Sequence, residues 1–253
     1  MKYLNIPRLP AYIHIPKTGG TYLSQLEADR KAIISPLKYL GHVCIIQGSD
    51  PGGSVYPPKN GVVLTRKLED VGKYYLFSTV RNPFEWLVSY ASHAGGWNRR
   101  YYDSNHYDFK AANKGFDYLL NTIFDREDIW PNRKLLHFQI FSDKGRLIVD
   151  WINRNKTLDD DLSRLAGKLH LNYKLKERQR IGKHDDYRIY YNDKLIDLVY
   201  SVWRKDFILF GFDFEGCSIE KAMIKNEIAE DQKHSIKYTW HDDDLRIDQR
   251  KII

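Results

Sequence analysis

The strongest run of strand-forming residues is Tyr74-Tyr75-Leu76-Phe77-Ser78-Thr79-Val80, where aromatic, β-branched and apolar side chains follow one another almost without a break. Such a run suits a strand covered on both faces, as in a parallel sheet flanked by helices. It stops at Arg81-Asn82-Pro83, and Pro83 opens a helix whose predicted apolar face is Phe84, Leu87, Val88 and Ala91. An earlier β-prone run, Tyr12-Ile13-His14-Ile15, is broken by Pro16-Lys17-Thr18-Gly19-Gly20. A helical pattern follows from Thr21, with Tyr22, Leu23 and Leu26 on one side. His42-Val43-Cys44-Ile45-Ile46, behind Gly41, predicts a further strand. The Gly- and Pro-rich residues 47–61 predict a loop.

The second half reads as mostly helical. Residues 145–155 carry Leu147, Ile148, Trp151 and Ile152, and Thr157 can cap a helix whose first turn holds Asp159, Asp160 and Asp161. Asn192 can cap a longer helix through Leu195, Ile196, Leu198, Val199, Val202 and Trp203, ending near the segment 207–212. Residues 94–115, rich in Gly, Asn and Tyr, read as a surface excursion. From Gly216 the chain turns polar and charged, so a domain over 1–215 and a helical, polar extension over 216–253 are expected. Strands alternating with helices predict an α/β fold with a parallel sheet covered on both faces.

Composition narrows the picture only a little. The 253 residues are 42% hydrophobic and 29% charged, ordinary for one large globular α/β domain. The two cysteines, Cys44 and Cys217, make no disulfide framework and favour a reducing compartment. Residues 1–10 lack the apolar core of a signal peptide, and no stretch approaches a membrane span, so a cytoplasmic location is expected. Forty Lys and Arg against 33 Asp and Glu leave a net charge of +7. That suits an anionic partner such as a nucleotide, a polyanionic glycan, nucleic acid or a membrane surface, and equally a solvated surface that leans positive.

The loop at residues 16–21 is the first candidate for chemistry. A loop between a parallel strand and a helix offers backbone N–H groups and the positive end of the helix dipole to an anion. Gly19 and Gly20 allow close backbone approach, Lys17 adds a cation, and Thr18 and Thr21 add hydroxyl donors. The same string also serves as a turn that uses glycine for its backbone freedom. Lys17 precedes the glycines, so the Walker order GxxxxGK[ST] of kinases and GTPases is absent. The second candidate is Arg81, at the end of the strongest strand, with Ser89 eight residues later on the following helix. An arginine at a strand's carboxyl edge can grip a phosphate through two N–H groups while a serine hydroxyl completes the cradle. An arginine before Asn-Pro is also a common helix-start charge.

The pair of motifs, strand-PKTGGT-helix and then strand-RNPxxxxxSY-helix, resembles the sulfotransferases that use 3′-phosphoadenosine-5′-phosphosulfate (PAPS). The likeness continues through Val149-Asp150-Trp151-Ile152, Asp186-Tyr187-Arg188-Ile189-Tyr190-Tyr191 and Asp206-Phe207…Phe210-Gly211-Phe212. It covers about residues 10–212 and is similar to the carbohydrate-type branch, with its heparan and uronyl 2-O-sulfotransferases and bacterial relatives. It implies a P-loop-like, three-layer α/β/α fold with a central parallel sheet and a helical second half. Lys17, Thr18, Gly19, Gly20 and Thr21 would then bind the 5′-phosphosulfate, and Arg81 and Ser89 the 3′-phosphate. Lys156 departs from the pattern, since that branch carries Glu there.

The resemblance further implies transfer of a sulfuryl group to a hydroxyl, a saccharide first among acceptors, with PAPS as co-substrate and no metal. No nucleic-acid partner and no membrane span are expected. Lys17 would neutralise the departing phosphate oxygen, and His42, in a Gly-His-Val matching the 2-O-sulfotransferases, would take the acceptor's proton. A strand-end histidine satisfied by a backbone carbonyl is the alternative reading of His42. His14 suits a core or supporting role, with His93 and His184 as reserves. Arg180, Gly182 and Lys183 lie in a segment that in relatives passes over the nucleotide, although a basic surface loop would look the same. Trp240-His241-Asp242-Asp243-Asp244 reads as a solvated charged tail and not as a metal site. Two other classes share these features: a nucleotide kinase, which would want a Walker lysine and a carboxylate for Mg²⁺, and a catalytically inactive glycan-binding module.

Overall fold

The computed structural model describes residues 8–13, 15, 17–20, 22–23, 38–39, 74–92, 107–125, 136–141, 145–169, 184–238 and 245–247. The strands that organise them are β1 (Leu9–Ile13), β2 (Lys38–Tyr39) and β3 (Tyr74–Val80). Next come the helices α1 (Pro83–Ser92), α2 (Tyr107–Ala112) and α3 (Phe116–Asp125). β4 (Trp151–Arg154), α4 (Leu158–Leu169) and α5 (Asp193–Phe210) follow. A short hairpin of β5 (Phe212–Asp213) and β6 (Gly216–Cys217), helix α6 (Glu230–Ser235), β7 (Ile236–Tyr238) and β8 (Leu245–Ile247) complete the order.

The molecule is mixed α/β, and its main sheet is parallel throughout, in the order β2-β1-β3-β4. β1, β3 and β4 form its body, and the two-residue β2 pairs on the outer side of β1. Register explains why the strand residues read as unbroken apolar runs. Tyr12 pairs with Phe77 and Phe77 with Trp151, and all three join one cluster with Tyr22, Leu23 and the α4 residues Leu158, Leu162 and Leu165. Their strand neighbours Ile13, Leu76, Val80 and Ile152 point the other way, into a larger cluster with α1, α3 and α5. Both faces of the sheet are therefore dry, and alternation of polar and apolar residues is lost.

That loss hides a strand. Residues 145–155 were expected to be helical, but 151–154 form β4 beside β3, with all of its side chains buried. A short apolar run covered on both sides carries no period that separates strand from helix. The expected surface excursion over 94–115 likewise contains α2, whose Ala111 is buried. Thr157 does not cap α4 through the backbone. Its hydroxyl donates to Asp161 Oδ2 at 3.0 Å, and the same carboxylate oxygen accepts the Arg154 N–H at 2.7 Å. Asn192 does cap α5, accepting the Leu195 N–H at 3.0 Å. That helix ends on Gly211, whose φ of +69° lets its N–H reach the Phe207 carbonyl. A Cβ at Gly211 would stand 2.1 Å from the Ser218 carbonyl oxygen, so only glycine fits this turn.

The residues after Gly216, expected as an appended extension, contribute to the same core. Ile224, Ile228 and Ile236 belong to the larger cluster. Residues 226–228 run along the outer edge of β4: the Ile152 N–H donates to the Asn226 carbonyl (2.7 Å) and the Ile228 N–H to the Asp150 carbonyl (3.0 Å). The Asp150 carboxylate accepts the Leu76 N–H and also pairs with Arg8 and with Lys233 of α6. The strand run 42–46 and the loop 47–61 lie outside the described residues. No helix among the described residues is long and apolar enough to cross a membrane. Ile224→Ala should therefore lower the main unfolding transition by about 2–5 kcal/mol in urea. A main transition unchanged in midpoint would mean that this segment folds apart from the sheet.

Candidate functional site

Because β1, β3 and β4 run parallel, the segments that leave them emerge at one edge: Ile15 and residues 17–20 after β1, Arg81-Asn82 after β3, and Asn155 after β4. These are the places where ligands bind open α/β sheets. The first segment is shaped by its carbonyl groups. The Thr18 hydroxyl donates to the Ile15 carbonyl (2.8 Å), Arg81 Nη1 to the Lys17 carbonyl (3.1 Å) and Asn155 Nδ2 to the Thr18 carbonyl (2.9 Å). The Gly19 carbonyl receives the N–H groups of Tyr22 (3.0 Å) and Leu23 (3.2 Å) and so starts a helix. The negative ends of four backbone dipoles are thus spent on protein donors, which lowers the repulsion an incoming anion would meet.

Two backbone conformations make this possible. Lys17 is the only described residue other than glycine with positive φ, at 64°. Gly19 has φ of +112°, and a Cβ there would stand 2.9 Å from Leu158 Cδ2 and 3.2 Å from Asn155 Nδ2. Glycine at 19 therefore serves close approach as well as backbone freedom. Strain held by surrounding contacts in this way clusters at functional sites.

Arg81 is mostly buried, and its Nε lies 3.4 Å from Glu85 Oε2. Its N–H donates to His137 Nε2 at 3.0 Å, across 56 residues of sequence. Since Nε2 accepts, the ring proton sits on Nδ1, which donates to Asp206 Oδ1 at 2.6 Å. Asp206 also accepts the N–H groups of Leu136 (2.7 Å) and His137 (3.1 Å). The His137 ring meets Phe210 edge-on, with centroids 5.2 Å apart. Asn82 locks the adjacent position. Its Oδ1 accepts the Phe84 N–H (3.0 Å), capping α1, and its Nδ2 donates to the carbonyls of Asp213 (2.7 Å) and Gly216 (3.0 Å).

The structure thus brings Lys17, Thr18, Gly19 and Gly20 together with Arg81. Ser89 is buried on α1 and shares a helical face with Asn82 and Glu85, but makes no hydrogen bond with Lys17 or Arg81 among the described residues. His42, Thr21, Arg180 and Lys183 lie outside the described residues, as do His14, His93 and the cluster 240–244. His184 is partly exposed, and its Nδ1 is 2.9 Å from the Asp185 carbonyl. Sequence reasoning missed His137, Asp206 and Asn155. A shallow pocket adjoins the site, lined by Asn82, Glu85, Arg154, Asn155, Lys156 and Cys217 among others. Burial lowers the Arg154 pKa and raises that of the Cys217 thiol, so the thiol beside this guanidinium is neutral at physiological pH.

No family model matches the chain, and no curated protein or solved structure matches it.

The geometry predicts that Gly19→Ala destabilises the protein by about 1–3 kcal/mol, through strain at positive φ and displacement of Asn155. Thermal or urea unfolding reads this directly. Wild-type stability would mean that the loop relaxes without needing the Asn155–Thr18 contact.

Proposed function

We propose that the chain is a sulfotransferase that moves the sulfuryl group of PAPS to an acceptor hydroxyl, a saccharide first among candidates, on a P-loop-like α/β/α fold. The observation that carries this reading is the hydrogen bond between Arg81 and the Lys17 carbonyl, which joins two anion-binding motifs 64 residues apart at one sheet edge. A donor with a 5′-phosphosulfate and a 3′-phosphate needs two anion grips on one sheet edge, and the convergence of the motif pair there supports that requirement. The missing Walker order speaks against phosphoryl transfer from ATP.

In this reading the acceptor oxygen attacks sulfur in line, and the bond from sulfur to the bridging phosphate oxygen breaks. The acceptor proton passes to His42, and the leaving group is 3′-phosphoadenosine-5′-phosphate (PAP). Lys17 and the backbone of residues 17–21 neutralise the charge that grows on the bridging oxygen. Arg81 and Ser89 hold the 3′-phosphate, with Arg180 and Lys183 closing over the nucleotide.

Calorimetry with PAP, AMP and ATP tests the donor. PAP should bind at least about tenfold more tightly than AMP or ATP. Lys17→Ala and Arg81→Ala should each remove most of that binding, and His42→Ala should lower turnover by about 10²-fold or more while PAP binding survives. Equal or better binding of ATP would replace this reading with a nucleotide kinase. Glycan binding without any nucleotide would replace it with an inactive binding module.

A further inference from the structure

We infer that the buried His137–Asp206 pair is a positioning device for Arg81, and that preference for a 3′-phosphorylated nucleotide depends on it; the inference rests on the donor reading above. His137 and Asp206 are both fully buried, in different parts of the chain, and neither belongs to the motifs that mark the site. Their hydrogen bonds run in one direction. Asp206 accepts from His137 Nδ1 and from two backbone N–H groups, which fixes the carboxylate and the ring tautomer together. The ring then presents Nε2, as an acceptor only, to the Arg81 N–H. From Arg81 the chain of bonds continues through the guanidinium to the Lys17 carbonyl.

An aspartate and histidine in this order can also make a general base, but here Nε2 is already occupied by a backbone N–H and sealed from solvent. The pair therefore cannot take a proton from an acceptor. What it does control is the backbone at the junction of β3 and α1. Asn82 is pinned to the β5–β6 hairpin one residue later, so the Arg81-Asn82 peptide is gripped from both sides. An arginine that must meet a phosphate with two N–H groups needs its Cα direction set to within a few tenths of an ångström, because its long side chain amplifies any rotation. His137 is thus a positioning residue for the 3′-phosphate grip.

The test compares PAP with AMP on the full chain, for wild type, His137→Phe and His137→Gln. Phenylalanine keeps the ring against Phe210 but offers no acceptor to Arg81, while the glutamine amide oxygen can replace Nε2. His137→Phe should lower the PAP-over-AMP preference about tenfold with AMP affinity little changed, and His137→Gln should restore most of it. A merely structural role would weaken both ligands alike. If wild type shows no preference for PAP, the donor reading falls and this inference with it. If wild type prefers PAP and His137→Phe keeps that preference, the inference alone fails. Should His137→Phe not fold, ¹⁵N spectra of the wild-type histidine ring decide. Movement of the His137 nitrogens and the Arg81 amide with PAP but not with AMP supports the coupling, and no movement with PAP overturns it.

Discussion

Parallel strands share a polarity, and every loop that leaves them at their carboxyl ends has to find room on the same edge. In this molecule the conflict is resolved by Arg81, whose guanidinium donates to the Lys17 carbonyl while its backbone N–H donates to His137. Remove that bond and the segment after β1 loses one of the two donors from neighbouring strand ends that turn its carbonyls inward, Asn155 being the other. The positive φ of Lys17, the close packing of Gly19 on Leu158 and the helix start at the Gly19 carbonyl belong to the same segment. A backbone held this way is organised by contacts within the protein itself.

Much of the frame was legible because local sequence and local structure agree. Tyr74–Val80 forms the strand its composition announces, Pro83 opens a helix behind an Asn82 cap, and Asn192 and Gly211 bound α5. What failed were features that depend on partners far away and leave no local signal. β4 is a strand because β3 and residues 226–228 flank it, and nothing within residues 151–154 says so. The isoleucines at 224, 228 and 236 looked sparse in a charged stretch, yet each is buried. That Lys17, Gly19 and Arg81 gather at one sheet edge could be read from spacing, since strand ends in a parallel sheet open on the same side. His137 and Asp206 could not, for Asp206 looks like any polar residue on a helix until the fold removes its water.

The buried polar groups show how such a fold selects one arrangement. An ion pair inside a protein adds little net stability, because desolvation offsets most of the attraction, but losing one partner leaves a charge stranded and is costly. Asp150 occupies this position at the start of β4, where it takes the Leu76 N–H and pairs with Arg8 and Lys233. Lys233 arrives from α6, 83 residues further on, so α6 cannot shift without exposing Asp150. At the other end of β4, Arg154 Nη2 donates to the Ile224 carbonyl at 2.8 Å, while its own N–H is taken by Asp161. The segment that closes the outer edge of β4 therefore also fixes the residue immediately before Asn155. Asn155 holds the Thr18 carbonyl, which makes the late part of the chain a structural support of the first loop and not a separate appendage. The charged, polar composition of that late part conceals this, because among its described residues a few apolar side chains pack with the buried Asn226, Lys233 and Ser235.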